Sequence, residues 1–212
     1  MTALVAACTA AQVETMRLRS VAIETLIEAQ ACAAEISSKP RYADLGTKTH
    51  LVAGDIPPHK LADARLLTIT DSRALLWYFS EVQDCRRVML EGAVRMHPLV
   101  VTILIEWFAA SDRIYAEAIF GRLTWGQFNQ ALREVGLQAQ ARLQQADALI
   151  AANAQNPQFE NEQRLIAIQA FDRWINTQYV LVSRRRAIAP ADGGLRSIRC
   201  NYVGPRLDCR SS

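Results

Sequence analysis

The residues richest in chemistry are the five cysteines, at positions 8, 32, 85, 200 and 209. A thiol can pair, ligate a metal, attack a substrate or carry a lipid, and its spacing and surroundings decide among these. The last two lie in Cys200-Asn-Tyr-Val-Gly204-Pro205-Arg-Leu-Asp-Cys209. Folding this segment about Gly204-Pro205 gives a type II′ turn: glycine takes the positive φ of its first position, proline the negative φ of its second. Counting outward from the closing pair 203/206 puts 200 and 209 at a non-hydrogen-bonded site. Cα atoms there lie about 4.5 Å apart, inside the window of about 4.4–6.8 Å for a disulfide. The spacing therefore predicts a Cys200–Cys209 hairpin bridge rather than two unrelated thiols. A metal site is disfavoured because no His or further Cys lies nearby.

Cys32 and Cys85 fall on the inward stripes of two helical segments. They could be buried thiols packing as small hydrophobes. In the oxidising compartment that a hairpin disulfide implies, they would instead pair. That bridge would close a 54-residue loop and contribute about 3–5 kcal/mol in the chain-entropy account. Cys8 follows Leu4-Val5-Ala6-Ala7, and Val5-Ala6-Ala7-Cys8 reads as a lipobox, whose cysteine is acylated and becomes the first residue of the mature chain. Met1–Ala7 supplies only the end of such a signal, so an in-frame leader upstream is expected; the plain alternative is an alanine-rich N-terminus. One acylated cysteine and two bridges account for five.

Other candidates carry less. His50 and His59 stand nine apart with no Glu or Cys at ligand spacing, and His97-Pro98 looks like a helix start. Glu106 and Asp112 lie six apart on one helix, about 240° out of phase, and do not converge as an acid/base pair. Glu106 interrupts an apolar helix and is expected in a core ion pair with an arginine. An enzyme built on His97, Glu106 and Asp112 is the remaining catalytic reading. No phosphate-cradling glycine loop, nucleophile elbow or zinc-protease helix is present. Arg184, Arg185 and Arg186 complement a helix C-terminus and are candidates for contact with anions such as lipid headgroups. The four tryptophans (77, 107, 125, 174) sit in helical segments and are expected in the core.

The elements that must hold these residues are helical. Val13, Met16, Ser20, Ile23, Ile27 and Ala34 make one stripe and Leu18, Ala22, Ala29, Cys32 and Ile36 a second, together a helix over about 10–37. Residues 39–70, with Pro40, Gly46, Gly54 and Pro57-Pro58, read as a long irregular surface loop that something must fix in place. Asp71 or Ser72 caps a second helix with Leu75, Phe79, Val82, Cys85, Arg86 and Met89 inward. A third starts at Pro98 and runs through Ile103, Trp107 and Ala118 to Gly121. Thr124-Trp-Gly-Gln127 is a capping box opening a fourth, and Asn156-Pro157 opens a fifth carrying Leu165, Ile168, Phe171, Ile175 and Val182. The expected fold is mainly α: an antiparallel bundle of about five helices, the loop over 39–70, and a short C-terminal disulfide β-hairpin. In domain terms, 1–9 is a signal remnant or disordered N-terminus, 10–182 the bundle, and 183–212 a basic tail.

Composition bounds the function. Of 212 residues 50% are apolar and 21% charged, which excludes a disordered chain. The most strongly apolar run, Leu99–Ile105 with Thr102 inside it, is far shorter than the roughly 20 residues a membrane span needs. Seven arginines against two aspartates follow Ser183, while the rest of the chain has seventeen basic and nineteen acidic groups. A net charge of +3 thus hides a mildly acidic body and a basic tail, and does not by itself indicate nucleic acid.

The Val5-Ala6-Ala7-Cys8 junction, the helical body with Cys32 and Cys85, and the Cys200…Gly204…Cys209 hairpin together resemble small bacterial envelope lipoproteins of uncharacterised function. Leu123-Thr-Trp-Gly-Gln-Phe-Asn129 is also similar to helix starts in such proteins. The resemblance implies a protein of the cell envelope and brings no activity; the expectation is a non-enzymatic protein, periplasmic, lipid-anchored through Cys8 or secreted. It would act by binding an envelope protein or polysaccharide; no cofactor and no nucleic acid is expected. A cytoplasmic helical adaptor with five reduced thiols is the alternative.

Overall fold

The computed structural model describes residues 10–50, 56–185, 198–203 and 206–211, with side chains described for 16–50 and 56–175. Two compact units divide the chain, Met1–Asn176 and Thr177–Ser212.

The first unit is an antiparallel helical bundle. Its long members are α1 (Ala10–Ser37), α4 (Ile69–Met96), α5 (Pro98–Ile119), α6 (Trp125–Ala152) and the start of α7 (Pro157–Arg185). Pairs of contacts fix the directions. Arg86 on α4 meets Asp112 on α5 while Phe79 meets Tyr115, and Glu106 on α5 meets Arg142 on α6 while Tyr115 meets Phe128. In each case numbers rise on one helix as they fall on the next.

The caps follow local chemistry. Thr124 accepts from the Gln127 N–H and Gln127 returns a side-chain oxygen to the Thr124 N–H, the expected box. The second long helix starts earlier than Asp71 or Ser72: Thr68 is its N-cap, and Asp71 sits three residues inside, closing a box with it. A short carboxylate reaches back to the cap N–H as Glu or Gln would. His97 caps α5, its Nδ1 accepting from the Leu99 N–H at 3.1 Å. The chain leaves α5 through Gly121 at φ 70°, with Gly121 N–H on Ala118 O and Arg122 N–H on Glu117 O. This Schellman arrangement needs a residue without Cβ at its left-handed position.

The segment 39–70 is not irregular throughout. It contains a 3₁₀ turn (Pro40–Tyr42) and two short helices, α2 (Ala43–Lys48) and α3 (Pro58–Leu61), and it buries Tyr42, Leu45, Thr49 and Leu67. Pro40 and Pro58 occupy first-turn positions, where proline's fixed φ suits a helix and its missing N–H costs nothing. These turns are too short to leave a period in the sequence.

Two stripes also resolve differently from expectation. On α1 the core face is the second stripe, with Ala29 and Ile36 buried and Cys32 half-buried; Met16, Ile23 and Ile27 of the first stripe are exposed. On α7 Ala167 and Ala170 are buried, whereas Leu165 and Ile168 face solvent. The period allowed either face, and only packing against the rest of the unit decides between them. One core cluster gathers Ile36, Tyr42, Leu45, Leu75, Tyr78 and Phe128, and another gathers Ala93, Val100, Leu104 and Phe108.

In the second unit, β1 (Ile198–Val203) and β2 (Arg206–Ser211) pair antiparallel, and the register sets Cys200 opposite Cys209. Their side chains, and so the bridge expected between them, lie outside the described residues.

Candidate functional site

Cys32 and Cys85 are joined by a disulfide, Cα–Cα 5.5 Å, between α1 and α4. Seven residues back along α1 and seven on along α4 stand Thr25 and Gly92, also in contact. A Cβ on Gly92 would collide with Oγ1 and Cγ2 of Thr25, so only glycine fits there. Two contacts spaced seven residues apart on both helices are two turns apart, so one seam carries both the bridge and the closest approach. Thr25 is buried and its Oγ1 has no hydrogen-bond partner among the described residues. Nothing in the residue types announced this contact, since a Thr and a Gly far apart in sequence give no signal alone.

The proposed catalytic trio separates. Asp112, not Glu106, is the buried acid. It pairs with Arg86 and accepts from Trp174 Nε1 at 3.0 Å. The Arg86 guanidinium lies between two rings, 5.3 Å from Phe79 and 5.0 Å from Phe108, so the charge is met by a carboxylate and two π-faces. Glu106 pairs with Arg142 at 2.5 Å on a half-open surface, correcting the expectation that it is buried. His97 is engaged in its cap and stacks on Phe159 at 5.9 Å. Burial holds the His97 imidazole below its ordinary pKa; Glu160 opposes this and Arg164 adds to it. Three side chains in three settings do not make one active site.

The N-terminus of α6 is where the 39–70 segment is fastened. Asn129, fully buried, donates to Lys48 O and Lys60 O at 2.9 Å each, and accepts from Thr49 Oγ1 at 2.5 Å. Gly126 donates to Asp63 O at 2.7 Å and Trp125 to Arg65 O at 3.0 Å. A Cβ on Gly126 would stand 2.6 Å from Leu61 O. Every residue of Thr124-Trp-Gly-Gln-Phe-Asn129 thus serves the fold, in turn as cap, core ring, close approach, box, core ring and anchor. Lys48 Nζ donates to Asp44 and Asp71 at 2.6 Å. Burial would push the Asp71 carboxyl up, but hydrogen bonds from Lys48 and Thr68 outweigh it and hold it below the usual range. Lys60, donating to Gly46 O and Thr49 O, is lowered by burial.

Between α5 and α6 runs a groove of about 340 Å³. Ile103, Trp107, Ala110 and Ala139 line it, with Arg113 and the Glu106–Arg142 pair among its polar groups. It includes neither His97 nor Asp112. Its lining is mainly apolar, with Arg113 as the charged side chain beyond the Glu106–Arg142 pair.

The tryptophans divide. Trp125 is buried and Trp107 and Trp174 half-buried, whereas Trp77 is 54% exposed, contrary to expectation. Among the described residues no group of His, Cys, Asp and Glu could hold a metal, and no helix is long and apolar enough to cross a membrane. Arg184 and Arg185 end α7, with side chains outside the described residues; Cys8 and Arg186 lie outside them altogether. Compared with known protein families, curated proteins and solved structures, the chain finds no match in any of the three.

Proposed function

We propose that this chain is a non-enzymatic protein of the bacterial cell envelope, anchored by acylation of Cys8 or secreted, that works by binding a partner. The observation that carries this reading is the Cys32–Cys85 bond. Structural disulfides persist in oxidising compartments and are rare in reducing ones. The second bridge, Cys200–Cys209, follows from the same compartment and from the register that opposes those residues. Two further features support binding over catalysis. The acids and the histidine considered for chemistry are engaged in ion pairs and a cap. Met16, Ile23 and Ile27 instead stand exposed on one face of α1, and a shared apolar face of this kind favours docking. The basic end of the chain, Arg184, Arg185 and Arg186, is the candidate for contact with anionic lipid or polysaccharide.

Fractionation of the native host tests the compartment. The protein is expected with the membranes or the periplasmic contents, and its N-terminal peptide is expected to begin at an acylated Cys8 if it is anchored. Recovery in the cytosol with five free thiols would overturn the reading in favour of an adaptor with reduced cysteines.

A further inference from the structure

α1 carries two apolar faces, and among the described residues only one of them is packed. Its core face, with Thr25, Ala29 and Ile36 buried, packs on α4 and is stapled there by the disulfide. The opposite face runs Met16, Ser20, Ile23, Ile27, Gln30, Ala34. All six positions are exposed, Met16, Ile23 and Ile27 at 56%, 59% and 60%. The steps between them are four, three, four, three and four residues, the heptad spacing of a coiled-coil seam. A surface helix normally shows one apolar stripe; a second, in heptad register, is a contact surface.

We propose that this face binds the same face of a second copy of the chain, in a parallel two-helix seam. The flanking charges select the partner and its direction. With Ser20, Ile27 and Ala34 at one core position (a) and Met16, Ile23 and Gln30 at the other (d), Arg19 is a g residue and Glu24 an e residue, both exposed. In a parallel pair, g of one helix meets the e five residues later on the other. Arg19 of each copy therefore meets Glu24 of its partner, twice by symmetry. The next such pair, Leu26 with Ala31, is apolar and exposed in the single chain. An antiparallel pair centred on Ile23 and Ile27 would instead bring Glu24 against its own copy. Ser20 and Gln30 each meet themselves across the parallel seam, and a polar pair inside an apolar seam fixes register. The polar positions and the single pair of Arg–Glu contacts per copy make this a weak, reversible dimer. Its N-termini emerge on one side, an arrangement that does not depend on where the protein resides.

Sedimentation equilibrium on the unreduced full chain tests it. The expected result is a monomer–dimer equilibrium. Ile23→Glu/Ile27→Glu should leave only monomer, with unchanged circular dichroism and thermal transition because both side chains lie on the solvent face. Arg19→Glu and Glu24→Arg should each raise the dissociation constant roughly tenfold, and the double swap should restore it. Monomer at every concentration, a dimer that survives Ile23→Glu/Ile27→Glu, or single swaps that the double swap fails to rescue would overturn the proposal. So would flotation of a monomeric wild type with anionic vesicles that Ile23→Glu/Ile27→Glu abolishes, which would assign the face to a membrane.

Discussion

Asn129 illustrates how much a single buried side chain can organise. It satisfies two backbone carbonyls and a threonine hydroxyl from a segment some seventy to eighty residues earlier. Asn129→Ala strands those groups in a buried site, so a loss of about 3 kcal/mol is expected, read as a shift of the urea midpoint. The Thr25–Gly92 contact makes the opposite pair of predictions. Gly92→Ala forces a Cβ into Thr25 and should cost about 1–3 kcal/mol. Thr25→Val keeps the shape and removes a hydroxyl with no partner among the described residues, so stability should hold or rise by about 1 kcal/mol; both are read by chemical denaturation. At this scale the sequence was partly legible. The capping box at Thr124 and the inward position of Cys32 and Cys85 could be read from spacing. Asn129's partners could not, because they are mainly backbone carbonyls, which no residue type advertises. Nor could spacing tell Asp112 from Glu106 as the buried acid, since both lie on one helix and only the partner helices decide.

Among the elements, the start of α5 carries a pH dependence. His97 caps it through a neutral Nδ1, and burial holds its pKa below the ordinary value. The unfolded chain therefore takes up this proton first. Stability is fully present above the unfolded pKa of about 6.5 and falls as pH drops below it, until the folded imidazole also charges. His97→Ser keeps a capping oxygen without a titrating group, so the unfolding free energy of the wild type should decline from pH 7 towards pH 5 while the variant's loses that slope. Long helices were legible because their period repeats many times. The segment 39–70 was not, because helices of four and six residues repeat nothing, and its anchors sit in α6. The two faces of α1 were visible as two stripes, but their opposite fates depend on α4 covering one of them.

At the scale of the molecule, its first unit is held by a covalent bond between α1 and α4. It links residues 53 apart in sequence, so Cys32→Ala/Cys85→Ala should lose about 4 kcal/mol relative to the oxidised protein, measured as the difference in unfolding free energy. The fold class and the helix order were legible in the sequence, as was the pairing of these two cysteines. The groove between α5 and α6 was not, since a groove is a property of two helices packed together. The most direct test of the proposal that this is an envelope protein held by this bond is to alkylate free thiols in lysate of the native host, then digest without reduction and weigh the peptides. One linked species joining the Cys32 and Cys85 peptides, released only after reduction, is the expected result. Both peptides recovered singly and alkylated would contradict it.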